Sequence, residues 1–144
     1  GVINRIFHGY GKFEGEMDGR KNGALISMST GKAVAFAIFN LQARGEMFVT
    51  HNDPVYEGMI VGLTPKPGDM IINVMKGKQL TNMRTQGTDE NVVLTPVRQM
   101  SIAEQLSMLN TDEALEITPK SLRLRKAILN PHDRKKSEKS GAAA

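Results

Sequence analysis

The 144 residues carry 40% apolar side chains and a net charge of +4, which suits one domain with a real core, or a domain plus a piece of a neighbour. The absence of Cys excludes disulfides, thiolate zinc sites and thiol nucleophiles and is compatible with a reducing compartment; no Trp, five Phe and two Tyr leave little surface for stacking bases. No apolar run reaches membrane-spanning length, and the opening GVINRIFHGY lacks a signal-peptide core, so the expectation is a cytoplasmic chain with no membrane partner.

Residues 2–10 mix β-branched and aromatic side chains and predict a strand, broken by Gly11 and Gly15. Gly1 opens directly onto Val2 and Ile3 with no initiating Met, which implies a start inside a longer protein. Two turn dipeptides, Asp18-Gly19 and Asn22-Gly23, mark a domain boundary near residue 17. Residues 24–28 read as a strand and 33–44 as a segment holding a short helix, with Gly45 suited to its C′ position. Residues 46–50 predict a strand, 55–63 a strand with a bulge near Gly58 and Gly62, 64–69 a turn, and 70–75 a buried strand. A further strand is expected at 92–95. Ser101 and Glu104 form a capping box for a helix to about Asn110, with Ile102, Leu106 and Leu109 facing the core. Residues 115–118 predict a strand. Leu122-Arg-Leu-Arg125 alternates strictly, which favours a strand with both arginines on one face over a helix beginning at Pro119. Asn130-Pro131 signals a short last helix, frayed over 135–140.

Between the two apolar runs 70–75 and 91–94 lies a long polar loop with Lys76, Lys78 and Arg84, no acid before Asp89, and Gln79, Thr81, Asn82, Thr85 and Gln86. Cations spaced by amides and hydroxyls suit phosphate and sugar oxygens; a hairpin loop without a ligand fits the same residues. Charge is unevenly spread: residues 1–117 hold 11 basic and 13 acidic side chains, and residues 118–144 hold 8 and 2. Such a basic block is the footprint of a polyanion partner or of a solvated tail. Besides the loop, the basic set comprises Lys120, Arg123, Arg125 and Lys126, with Arg20 and Lys21 at a turn. Few aromatics favour backbone or shape recognition over stacking.

Catalytic motifs are missing. Gly9-x-Gly11-x-x-Glu14 lacks the last glycine of a dinucleotide fingerprint, and neither a Walker loop nor a G-x-S-x-G elbow occurs. His8, His51 and His132 are far apart with no ligand spacing around them. The nine Met read as core filler or as a peptide groove.

The runs INRIFHGY, NGALISMSTGKAVAFAIFNLQARGEMFV, VYEGMIVG, NVMKGKQLTNMRTQGTDENVVLTP and MSIAEQLSMLNTDEALEITPKSLRLRK resemble the C-terminal part of the BipA/TypA translational GTPases, over roughly residues 2–136. That resemblance implies a ribosome-associated GTPase related to elongation factor G, linked to stress adaptation, growth at low temperature and large-subunit assembly. GTP and magnesium would belong to an upstream G domain, with no cofactor, metal or catalysis in this fragment. Residues 1–16 would be the last strand of a domain like the fifth of elongation factor G, 17–136 the family's own C-terminal domain, and 137–144 a disordered tail. Implied partners are the large ribosomal subunit, its rRNA and the tRNA acceptor end. The implied RNA-facing residues are Lys76, Lys78, Gln79, Asn82 and Arg84, with Lys120, Arg123 and Arg125 as a second patch.

The fold expected is α+β, mainly antiparallel and partly barrel-like, with two or three short helices and a long basic loop, in a monomeric fragment. Its function would be ribosome docking; the alternative is a protein-interaction module for a ribosomal or stress protein, and a hydrolase with a dispersed site ranks last.

Overall fold

The computed structural model describes residues 1–13, 15, 20–77 and 93–141. Its elements run β1 (Ala24–Ser27), β2 (Gly31–Lys32), α1 (Ala35–Gln42), β3 (Glu46–Met47), β4 (Pro54–Val55), β5 (Ile60–Leu63), β6 (Met70–Ile72), α2 (Ile102–Ser107), β7 (Glu113–Ile117), β8 (Leu122–Lys126) and α3 (Pro131–Gly141). The α+β class is as expected. The sheets are open, so the barrel-like character expected from the sequence is absent among the described residues.

The central sheet has the order β3-β5-β1-β6. β1 pairs antiparallel with β5 and parallel with β6. All four residues of β1 are buried, because successive side chains leave a strand on opposite faces and both faces here are covered. Leu25 points into a core with Ile38 and Leu41 of α1, Met47, Val61, Ile72 and Val74. Ala24 and Ile26 meet Ile60 and Leu124 on the other face, closed by Phe48, Met100, Leu109 and Leu115. Burying a Leu or Ile side chain contributes about 1.5–3 kcal/mol, so this strand anchors both layers.

The β7–β8 ribbon is an antiparallel hairpin in full register from Glu113 opposite Lys126 to Ile117 opposite Leu122. It is stitched to the sheet at Gly58. The Gly58 amide donates to Ser27, its carbonyl accepts from the Lys126 amide, and Met59 bridges to Arg125. Gly58 has φ +85°, and a Cβ there would lie 2.7 Å from the Leu129 backbone, so only glycine fits. This glycine separates β4 from β5, where the sequence reading has one strand. The bulge lies at β5, where the register skips Val61 between the partners of Leu25 and Ile26.

Other expectations change for identifiable reasons. Residues 1–13 form neither strand nor helix, and Val2, Ile3, Ile6, Phe7, Tyr10 and Phe13 are exposed; no described strand lies beside them to complete a ladder. Gly45 falls one residue beyond C′, since Ala43 is the C-cap of α1. Its need is steric: a Cβ there would collide with the Leu63 carbonyl oxygen. Residues 93–95 are irregular, and Thr95 instead exchanges two hydrogen bonds with the Gln42 carboxamide, at 3.1 and 2.8 Å.

The Ser101 capping box forms as expected, with the Ser101 amide donating to Glu104 at 2.8 Å. The helix it opens is turned differently, however. Ile102 and Leu106 are 48% and 53% exposed, and the buried residue is Gln105. The hairpin turn at 118–121 is closed by Thr118, whose hydroxyl accepts from the Ser121 amide at 3.0 Å, which disposes of a helix at Pro119. α3 continues to Gly141 through the stretch expected to fray. Asn130 Oδ1 caps it, accepting from the His132 amide at 2.9 Å, and the Arg134 guanidinium ties it back to the carbonyls of Ile128 and Leu129.

Candidate nucleic-acid interface

Strand β8 sorts its cations by parity. Leu124 and Lys126 turn inward and are buried, while Arg123 and Arg125 lie on the other face. That face also holds Tyr56, whose hydroxyl donates to Glu116 at 2.5 Å. Burial and this carboxylate push the Tyr56 phenol up to about 12, and the positive charges of Arg125 and Arg123 pull the other way. Arg125 donates to the carbonyls of Lys126 and Ala127 at 3.2 and 3.4 Å. Among the described residues, neither Arg123, Arg125 nor Lys120 forms an ion pair.

Lys120 and Arg123 come together on a cleft of about 730 Å³ between the 118–121 turn and the start of α2. Phe48, Met100, Ile102 and Ile117 supply its apolar wall, and Arg98 stands at its edge. The Arg98 charge is balanced by Glu46 and Glu104 at 3.5 and 3.4 Å. Gln105 also lines the cleft. Its Nε2 donates to the Met100 carbonyl at 3.2 Å, which fixes the carboxamide orientation, and its buried Oε1 has no partner among the described residues. Leaving such an acceptor unpaired costs about 1–3 kcal/mol.

Lys76 lies elsewhere. It borders a second cavity, of about 520 Å³, with Asn40 of α1, Arg44 just past its C-cap, Ile71 of β6 and Asn73. That is the α1 side of the central sheet, whereas the Lys120–Arg123 cleft is on the ribbon side, so the anticipated cations divide between two faces. Lys78, Gln79, Asn82 and Arg84 lie outside the described residues.

Two of the basic residues are internal. The Lys126 side chain is 2% exposed and contacts Asp69, Asp112 and Glu113 at 2.5, 2.7 and 3.1 Å. Arg20 forks onto the same Glu113 at 2.7 and 3.1 Å and donates to the Met108 carbonyl. Burial works against the Lys126 ammonium, but Asp112, Asp69 and Glu113 outweigh it and hold its pKa above the ordinary lysine value. Burial likewise opposes ionisation of Asp69, and hydrogen bonds from the Ala24 amide and Lys126 overcome it, so this carboxyl lies below the usual range. Glu104 is also lowered, chiefly by the Ser101 amide. Neither carboxylate sits beside a histidine, and His51 Nδ1 accepts from the Ala35 amide. Among the described residues no group of His, Asp or Glu is arranged to hold a metal ion, and no helix is long and apolar enough to cross a membrane.

Arg98, Arg44 and Gln105 do not stand out as site residues in the sequence. A signal exists for Gln105: it lies four residues after the capping Ser101, and four before Leu109, on the inward stripe of α2.

The sequence profile of the TypA/BipA C-terminal domain matches residues 22–131. This chain belongs to the TypA/BipA C-terminal domain family. Among curated relatives, the large ribosomal subunit assembly factor BipA of Buchnera aphidicola subsp. Schizaphis graminum is 49% identical over 140 residues, covering 96% of this chain and 23% of the relative. The protein of the same name from Salmonella typhimurium is 44% identical over the same coverage. That of Escherichia coli K12 is 47% identical over 126 residues, 88% of this chain and 21% of the relative. The chain thus spans under a quarter of the length of these BipA proteins. The matched span of the TypA/BipA domain includes both cation-bearing faces and the cleft.

Proposed function

We propose that this domain docks a ribosome-associated GTPase on the RNA of the large ribosomal subunit during its assembly. The observation that carries the reading is the pairing of Lys120 with Arg123 at one cleft, both without an acidic partner among the described residues, while Lys126 and Arg20 are consumed internally. Relatives named as large-subunit assembly factors support it. Unpaired guanidinium and ammonium groups at a cleft suit phosphate oxygens, the arginine as a fork and the lysine as a point charge. Lys76, on the α1 side, is assigned a second RNA contact; Lys78, Gln79, Asn82 and Arg84, outside the described residues, are assigned to RNA as well, with the tRNA acceptor end as a further partner. GTP and magnesium are assigned to a part of the longer protein beyond these 144 residues; within this chain, binding rather than catalysis is the role.

Co-sedimentation of the chain with large subunits across a salt series tests the reading. Binding should fall steeply as salt rises, because each neutralised phosphate releases a counterion. The alternative, a protein-interaction module, has Phe39 and Ile71 in its favour, 50% and 45% exposed. Capture that ignores salt and survives nuclease would select it.

A further inference from the structure

The cavity beside α1 is bordered by hydrogen-bond donors, and no Asp or Glu lies among its described lining residues. Arg44 and Lys76 are exposed there, and neither forms an ion pair among the described residues. Asn73 accepts from the Met75 amide at 2.9 Å. That bond commits the oxygen of its carboxamide and leaves the NH2 end without an acceptor among the described residues. The floor includes Leu41 and Ile72, which belong to the core layer between α1 and the central sheet. The Lys120–Arg123 cleft is walled instead by Ile60 and Leu124 of the opposite layer. Two depressions with unpaired cations therefore open on opposite sides of one sheet, as far apart as its two covered faces allow.

Resting on the RNA-docking reading, we infer that the α1 side holds a backbone-phosphate site of its own, built by Arg44, Asn73 and Lys76, so that one domain holds two RNA segments at once. Charge complementarity selects the occupant: two cations and a neutral donor, with no acid between them, fit a polyanionic backbone. An apolar partner would leave both cations without a counter-charge. Arg44 presents a fork to phosphate oxygens and Lys76 a point charge, and the Asn73 NH2 donates to the same backbone. Contacts of this kind position a nucleic acid without reading its sequence, so the site takes RNA whatever its bases. The cleft on the ribbon side grips a second segment independently, through Lys120 and Arg123.

The test counts short oligo(U) molecules bound per full chain at low salt by calorimetry, with the Asn73 side-chain NH2 signal followed by NMR. The parent chain should take two oligomers, and the Asn73 signal should shift. Arg44→Ala/Lys76→Ala should take one and lose that shift, while its urea midpoint stays at the parent's value because both side chains are exposed. Lys120→Ala/Arg123→Ala should also take one but keep the shift. Adding Arg44→Ala to this second variant should weaken the remaining binding and make its salt slope shallower by about 0.7, the share of one single-strand phosphate. Oligo(C) should match oligo(U) throughout. If Arg44→Ala/Lys76→Ala fails to fold, the parent's stoichiometry and Asn73 shift decide alone. One oligomer per parent chain, an unmoved Asn73 signal, or two oligomers still bound by Arg44→Ala/Lys76→Ala would overturn the α1 site and leave docking through the cleft standing. An Asn73 signal moved by an acidic peptide but not by oligo(U) would also overturn it. No binding of any RNA to the parent at any salt would remove the docking reading itself.

Discussion

Lys126 Nζ lies 3.1 Å from Glu113 Oε1, and both side chains are withdrawn from solvent, at 2% and 0% exposed. Three residues earlier on the same strand, Arg123 has no carboxylate partner among the described residues. One strand therefore carries a buried, paired cation and a cation without an acidic partner, separated by the pleat.

The buried pair yields the first prediction. Lys126→Ala leaves Arg20, among the described residues, as the one cation beside the buried Glu113 and takes the ammonium from Asp69 and Asp112. Removing one partner of a buried ion pair costs about 3–5 kcal/mol, so Lys126→Ala should lower the urea midpoint by that equivalent. Arg123→Ala should change stability by no more than about 0.5 kcal/mol. Equal effects would dissolve the distinction between the two residues.

Stability should depend on pH through the same cluster. The Asp69 carboxyl is held below its usual range, so its contribution is complete above about pH 4 and is lost as pH falls through its lowered pKa. Lys126 is raised; its contribution is complete below about pH 10.4 and is lost only as pH climbs through the raised value. Urea midpoints should therefore be flat through neutrality and fall on the acid side, and Asp69→Asn should flatten part of that acid fall. An unchanged acid limb in Asp69→Asn would exclude Asp69 as its source.

Tyr56 offers a spectroscopic check on the β8 face. Its phenol is pushed to about 12 by burial and by Glu116. Phenolate absorbance from Tyr56 should appear only near that pH, and Glu116→Gln should bring the transition down. Titration of Tyr56 at the ordinary tyrosine value in the parent chain would mean that Glu116 is not its partner.

The cap on α2 can be measured directly. Ser101→Ala removes the acceptor for the Glu104 amide and should cost about 0.5–2 kcal/mol. Stability unchanged by Ser101→Ala would mean that the capping box contributes nothing.

Local rules make much of this fold legible. The alternation Leu122-Arg-Leu-Arg125 announces a strand with two arginines on one face, Ser101 and Glu104 announce a helix start, and Asn130-Pro131 announces another. What the sequence conceals depends on distant partners. The fate of Lys126 rests on carboxylates at 69, 112 and 113, and that of Arg20 on a residue 93 positions away, so composition alone does not tell either from the neighbouring free cations. The face of α2 escapes pattern reading because Ile102 and Leu106 fit a core stripe as well as Leu109 does, yet both are exposed, Ile102 on the neighbouring cleft. Gly45 looks like a helix stop and serves instead as a close approach to Leu63. Residues 2–10 have the composition of a strand, but strand character needs a ladder to join.

The central claim is that Lys120 and Arg123 grip RNA phosphates. Its most direct test is the slope of log affinity against log salt for large-subunit RNA, measured for the parent chain and for Lys120→Ala/Arg123→Ala. The account predicts weaker binding and a slope shallower by about 1.4–1.8, that is ~0.7–0.9 for each phosphate no longer neutralised, with stability unchanged. A double variant that keeps the parent's affinity and slope would contradict it.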